Sequence, residues 1–171
     1  MAPHPLRLLV ICQQVDPTET LMGFFATWLL KLAARVERMI VVPLWTRGVE
    51  WPDNVTVFPM QAGPSGKRLA RWVRLNSLLA RLILGHQVDV VFVHMIPRWA
   101  SLAAPYCRLS GVPIVLWYAH KAVPWLLYPA HCLARRVVTS TPEGYRLSQD
   151  STKVHVVGQG IDTEYFHPVP R

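Results

Sequence analysis

Two histidines stand at the ends of apolar runs: Val88 to His94 finishes in one, and Pro113 to Ala119 is followed by the other, His120. Runs that are hydrophobic throughout read as central strands of a parallel sheet, so His94 and His120 fall at equivalent strand ends and face one crevice. An imidazole there donates hydrogen bonds to hydroxyls or phosphate, or moves a proton. The other reading of each is a ring satisfied by a backbone carbonyl. Lys121 adds a compact cation for an anionic group, unless it is simply solvated. Ser140 ends the run Arg136 to Ser140 and Thr141 follows it, where a hydroxyl either meets a substrate or caps the short helix that Pro142 opens.

Gly23 lies near the start of the first helical pattern, after Gln13 to Met22. A glycine there either lets a phosphate reach helix-start amides or lets the helix pack closely. The chain has neither G-x-G-x-x-G nor G-x-x-x-x-G-K-[ST], which sets aside a dinucleotide fingerprint and an ATPase-type phosphate loop. It also has no G-x-S-x-G elbow for hydrolysis. His4, His86, His131, His155 and His167 lack metal-ligand spacing, as do Cys12, Cys107 and Cys132, so no metal and no cofactor is expected. The three cysteines read as reduced thiols of a cytosolic protein.

The elements that position these groups follow from periodicity. Apolar runs Arg7 to Cys12, Met39 to Trp45, Val55 to Met60, Val88 to His94, Pro113 to Ala119, Arg136 to Ser140 and Val154 to Gly158 alternate with helical patterns. The helices are predicted over Leu21 to Val36, Ser65 to Leu84, Trp99 to Ser110 and Val123 to Leu133, with a short one from Pro142. Phe25, Trp28, Leu29, Leu32 and Val36 form the sheet-facing stripe of the first. This order predicts an α/β domain with a doubly wound, mainly parallel, Rossmann-like sheet of about seven strands, its ligands outside the strands' carboxyl ends.

A chain of 171 residues suits one hydrophobic core. Hydrophobic residues make up 51% against 16% charged, with seven tryptophans, which leaves apolar surface for a partner, a second domain or a membrane to cover. The net charge of +8 favours an anionic neighbour. Nucleic acid is set aside, because aromatic and basic residues do not interleave on a strand face. In Ser65 to Leu84, Lys67, Arg71, Arg74 and Arg81 share one helical stripe, while Leu69, Trp72, Val73, Leu79 and Ile83 lie around another. That helix either rests on anionic lipid or turns its basic face to water. No window reaches the roughly 18 apolar residues of a spanning helix, so the protein is expected in the cytoplasm, soluble or peripheral at the inner membrane face.

Several segments together carry a family resemblance: Leu8-Leu9-Val10-Ile11-Cys12, Leu21-Met22-Gly23-Phe24-Phe25, Val90-Val91-Phe92-Val93-His94, Pro113-Ile114-Val115-Leu116-Trp117-Tyr118-Ala119-His120, Arg136-Val137-Val138-Thr139-Ser140, and Val156-Val157-Gly158-Gln159-Gly160-Ile161-Asp162-Thr163-Glu164-Tyr165-Phe166. The whole chain resembles the amino-terminal, acceptor-side domain of GT-B fold, family 4 (group 1) glycosyltransferases, retaining enzymes that use nucleotide sugars. Gly158 and Gln159 stand where that family typically has Pro and Asn. The resemblance implies a nucleotide-sugar donor and a glycan or lipid-linked acceptor, with His120 approaching the acceptor or the transferred sugar. It places His94, Lys121, Ser140 and Thr141 on the acceptor side, and Gly23 and Gly160 at the donor diphosphate and the cleft. It implies a domain over residues 1–166, an interdomain linker beginning at 167–171, and a missing carboxy-terminal donor domain with its E-x7-E glutamates. The chain alone would then be inactive. Two rivals are a stand-alone acceptor or membrane-binding subunit of a split glycosyltransferase, and the amino-terminal half of a nucleotide-sugar epimerase.

Overall fold

The structure, a computed structural model, describes residues 4–20, 22–61 and 68–160. Seven strands form one parallel sheet: β1 (His4–Val15), β2 (Val36–Thr46), β3 (Val55–Val57), β4 (Val90–His94), β5 (Ile114–Trp117), β6 (Arg136–Thr139) and β7 (Val154–Val156). Their spatial order is β3-β2-β1-β4-β5-β6-β7, and every pairing is parallel. The chain winds outward from β1 through β2 to β3, then returns to β4 on β1's other side and winds the opposite way. The reversal between β1 and β4 is where a doubly wound sheet opens a crevice at its carboxyl edge. His94 is the last residue of β4, beside that opening.

Strand side chains alternate between the two faces of the sheet. Leu9, Ile11, Ile40, Val42, Val91 and Val93 point to one face, buried against α2 (Arg68–Leu84), α3 (Pro97–Ser110) and α4 (Leu127–Leu133). Leu8, Val10, Cys12, Met39 and Val41 point to the other, buried under Phe25, Ala26, Leu29 and Ala33 of α1 (Phe24–Ala33). Burial pushes the Cys12 thiol well above its usual range. The amino edge is tied by Arg7, whose backbone N–H and Nε donate to Asp89 Oδ2 at 2.8 and 3.1 Å, with Nη2 2.6 Å from Oδ1.

Several boundaries differ from the sequence reading. Val36, expected as the last member of the α1 stripe, begins β2 and is paired with β1; α1 ends at Ala33, with the Ala34 and Arg35 amides donating to Leu30 and Leu32 carbonyls. α4 starts at Leu127 rather than Val123, because Pro124 keeps the preceding residue out of helix; its carbonyl accepts from the Leu127 amide. β3 stops at Val57, although the Phe58 and Met60 amides still reach Val41 and Pro43 carbonyls of β2. The expected linker at 167–171, Lys67 and the segment from 161 onward lie outside the described residues.

Candidate functional site

The carboxyl edge is organised by aromatic side chains. Phe25, in the first turn of α1, lies flat on the His94 imidazole, with centroids 3.8 Å apart and planes 13° apart. One turn on, Trp28 meets Trp117 at the end of β5 edge to face at 5.1 Å, and Phe24 at 5.0 Å. Gly160 rests against the same indole: a Cβ there would come within 3.8 Å of Trp28 Nε1, an ordinary contact. Its φ of +60° is left-handed, a conformation glycine adopts without penalty. The ends of β4 and β5 and the segment after β7 are thereby gathered over the first two turns of α1. In sequence, Phe25 and Trp28 read as members of the sheet-packing stripe, and Phe24 carried no role of its own.

His94 is 3% exposed, and burial holds its pKa down at about 3, so the ring is neutral at pH 7. His120, by contrast, is exposed. The two histidines therefore differ in surroundings: His94 lies buried under Phe25, and His120 stands in solvent.

His120 is held by its backbone rather than by its neighbours in the loop alone. Its N–H donates to the Gly144 carbonyl at 2.8 Å, across the turn after β6. The Ala122 amide donates to Nδ1 at 3.0 Å, which fixes the lone pair on Nδ1 and leaves Nε2 as the N–H donor. Tyr118, 5% exposed, donates its hydroxyl to the Ala122 carbonyl at 2.8 Å and closes the loop from beneath. Lys121 is exposed in the same loop. Beyond it Trp125 and Tyr128 are 76% and 56% exposed, a pair of open aromatic faces that no motif marked.

Thr141 caps the 3-10 turn Pro142–Gly144: its Oγ1 accepts from the Gly144 amide at 3.1 Å, so of its two readings the structure shows capping. Thr139 Oγ1 donates to the Thr141 carbonyl at 3.3 Å. Ser140 between them is half-buried. Gly144 has no room for a side chain, since a Cβ would fall 2.8 Å from Thr139 Oγ1 and 3.5 Å from Ala119 Cα. Sequence reasoning missed Gly144; only the tight spacing from Thr141 to Tyr145 hinted at a close approach.

Gly23 also carries a structural requirement. Its φ of −57° is ordinary helix, and an added Cβ would fall 2.6 Å from the Glu19 carbonyl oxygen and 2.8 Å from that of Pro17. Its amide donates to the Glu19 carbonyl at 3.0 Å, and the Met22 amide donates to the Glu19 carboxylate. The Gly23 and Met22 amides at this helix start thus both bond to Glu19. Asp16, at the end of β1, holds the preceding turn through bonds from the Thr18 hydroxyl and amide, which keep its carboxyl below the usual range.

The expected apolar stripe of the basic helix α2 divides. Leu79 and Ile83 are buried, with Leu75 and Leu82, whereas Leu69, Trp72 and Val73, expected on the same stripe, are 69%, 56% and 49% exposed. Arg74 Nη2 donates to the Met60 carbonyl at 2.7 Å. Arg74 and Arg81 flank a groove of about 440 Å3 whose walls include Val57, Phe58, Met60 and Leu78. Arg71 lies on the same helix. Among the described residues no helix is long and apolar enough to cross a membrane, and no cluster of histidine, cysteine and carboxylate side chains is placed to hold a metal ion.

No protein-family model and no curated protein matches the chain. Solved structures do. The chain is similar to Anabaena HepE in complex with UDP and glucose (TM-score 0.61, 15% identity, 96% of this chain and 47% of that one). It is similar to Acinetobacter baumannii MurG (0.57, 11%, 96% and 48%). It is also similar to the UDP-GlcNAc 2-epimerase of Methanocaldococcus jannaschii (0.56, 13%, 90% and 45%). The chain spans about half the length of each. The all-parallel, doubly wound sheet is accordingly the fold of one half of a GT-B structure.

Proposed function

We propose that the chain is the acceptor-side half of a nucleotide-sugar glycosyltransferase, transferring a sugar with retention to a glycan or lipid-linked hydroxyl. The observation that carries this reading is the placement of His120. It is exposed at the carboxyl edge, its tautomer is set by the Ala122 amide, and Nε2–H is free to donate to a sugar hydroxyl or a developing charge on the leaving group. Lys121 adds a positive charge beside it, and Ser140 and Thr141 border the turn that fixes its backbone. His94 acts from below, as the neutral base of the aromatic floor rather than as a contact to the acceptor. Gly160 brings the chain over the cleft floor as it leaves the domain.

The other wall of the cleft, with the donor site and the paired glutamates of the resembled family, would belong to a second domain. Catalysis in a cleft that excludes water depends on both walls being placed together, so the half alone is inactive in this reading. The exposed Leu69, Trp72 and Val73 beside Arg74 and Arg81 support a peripheral position on an anionic membrane.

An epimerase reading has one observation in its favour, the similarity to the UDP-GlcNAc 2-epimerase over 90% of the chain. One experiment separates the two: incubating the complete protein with a nucleotide sugar, with and without a polyprenyl-linked saccharide acceptor. Transfer that requires acceptor supports the glycosyltransferase. Epimerised donor in its absence supports the rival, and neither product overturns both.

A further inference from the structure

At the opposite edge of the sheet from His120, the starts of β5, β6 and β7 and the ends of α3 and α4 surround a second hollow, of about 770 Å3. Its lining is mixed, with apolar side chains such as Val112, Ile114 and Ala134 among polar groups. Its rim carries Arg108, Arg135, Arg136 and Lys153. Four cations thus face a single lining carboxylate, Asp150, and that group is engaged elsewhere: Oδ1 accepts from the Thr152 amide at 2.9 Å and from its hydroxyl at 2.7 Å. None of the four cations makes an ion pair with it.

Arg108 has a local explanation, because it lies in the last turn of α3, where the helix dipole favours a cation. Arg135, Arg136 and Lys153 do not share it. The Lys153 ammonium reaches the Cys132 carbonyl at 3.4 Å and an Arg136 Nη1 the Arg135 carbonyl at 3.1 Å, both neutral acceptors, and Asp150 acts on Lys153 only through space. Clustered cations in a concave lining that also holds apolar side chains are the complement of a compact multiply charged anion with a less polar body, and phosphate oxygens match the guanidinium fork. We propose that this hollow is a second ligand site, taking a small oligophosphate such as a nucleotide on the edge remote from the sugar cleft. It stands on observations independent of the glycosyltransferase reading.

A reporter is built into the rim. Cys132 lines the hollow and is exposed, whereas Cys12 and Cys107 are buried. Maleimide labelling of Cys132 in the full chain, followed by mass spectrometry of its peptide, reads occupancy without any activity assay. With inorganic pyrophosphate at ten times its dissociation constant, at constant ionic strength, labelling slows by about tenfold and saturably. The double variant Arg136→Gln, Lys153→Gln abolishes this protection, and Arg135→Gln alone weakens it should the double variant fold poorly. Arg74→Gln with Arg81→Gln, on the other side of the domain, leaves it intact. Labelling that is insensitive to millimolar pyrophosphate, protection that survives in the rim variants, or slowing by phosphatidylglycerol vesicles but not by pyrophosphate would each overturn the proposal.

Discussion

The Phe25 ring covers the His94 imidazole almost in parallel, at 3.8 Å between centroids, and seals the end of β4 from solvent. A histidine in that position has no water to solvate a proton, which is why its pKa is held at about 3 against an ordinary 6.5. The unfolded chain takes up a proton that the native state refuses. Stability from this residue is therefore complete above pH 6.5 and is lost as pH falls from there toward 3, by about 1.4 kcal/mol per pH unit at most. His94→Phe, which keeps the stacking and removes the titration, should flatten that loss. Urea midpoints at pH 7 and pH 4.5 check it: equal declines in the variant and the natural chain would remove His94 as the acid-sensitive group.

Gly23 and Gly160 differ in what forbids a side chain. At Gly23 a Cβ would collide with two backbone carbonyls, neither of which rotates away, so Gly23→Ala should cost about 2 to 3 kcal/mol and shift the start of α1. At Gly160 there is room against Trp28 but the left-handed backbone strains any other residue, and Gly160→Ala should cost on the order of 1 kcal/mol. Thermal melts of the two variants rank them. The reverse order would mean that the Glu19 and Pro17 carbonyls yield easily.

His120 is exposed, so its removal should be felt in chemistry and not in folding. In the complete protein, His120→Ala is expected to lower turnover by about 100-fold, the range of a lost general acid or base, with a melting temperature within the error of the natural chain. His120→Asn keeps a donor on that side chain and should recover part of the loss. Unchanged turnover in the alanine variant would take the imidazole out of the site.

Charge reversal on α2 tests the membrane surface. Lys67→Glu, Arg71→Glu and Arg81→Glu together should reduce binding to phosphatidylglycerol vesicles by more than about 100-fold, since each near-surface base contributes on the order of 1 kcal/mol. Arg74 is left in place because its guanidinium also holds the Met60 carbonyl. Cosedimentation reads the result. Adding Trp72→Ser should weaken binding further only if the exposed indole enters the lipid.

The strands and their order were legible because a buried parallel sheet requires unbroken apolar runs, and Leu8 to Cys12, Val90 to His94 and Ile114 to Trp117 carry them. Which end of each run lies at the carboxyl edge of the sheet followed from topology. What each rim residue does was not legible. His94 and His120 follow the same kind of run, and only the helix that crosses above decides that one is roofed by Phe25 and the other is open. Gly23 illustrates the same limit: phosphate contact and close packing call for one residue type, and the nearness of the Glu19 carbonyl is three-dimensional information. On α2 the periodicity gave the stripe, but Leu69, Trp72 and Val73 proved to lie beyond the reach of the sheet.

The 2.8 Å bond from the His120 amide to the Gly144 carbonyl makes the imidazole's address the property of the turn that follows β6. Inserting or deleting one residue between Thr139 and Tyr145 would move the ring without altering its own loop. Variation in that hairpin-sized stretch is therefore a route by which such a protein could retune its reactive edge while every residue around His120 stays the same.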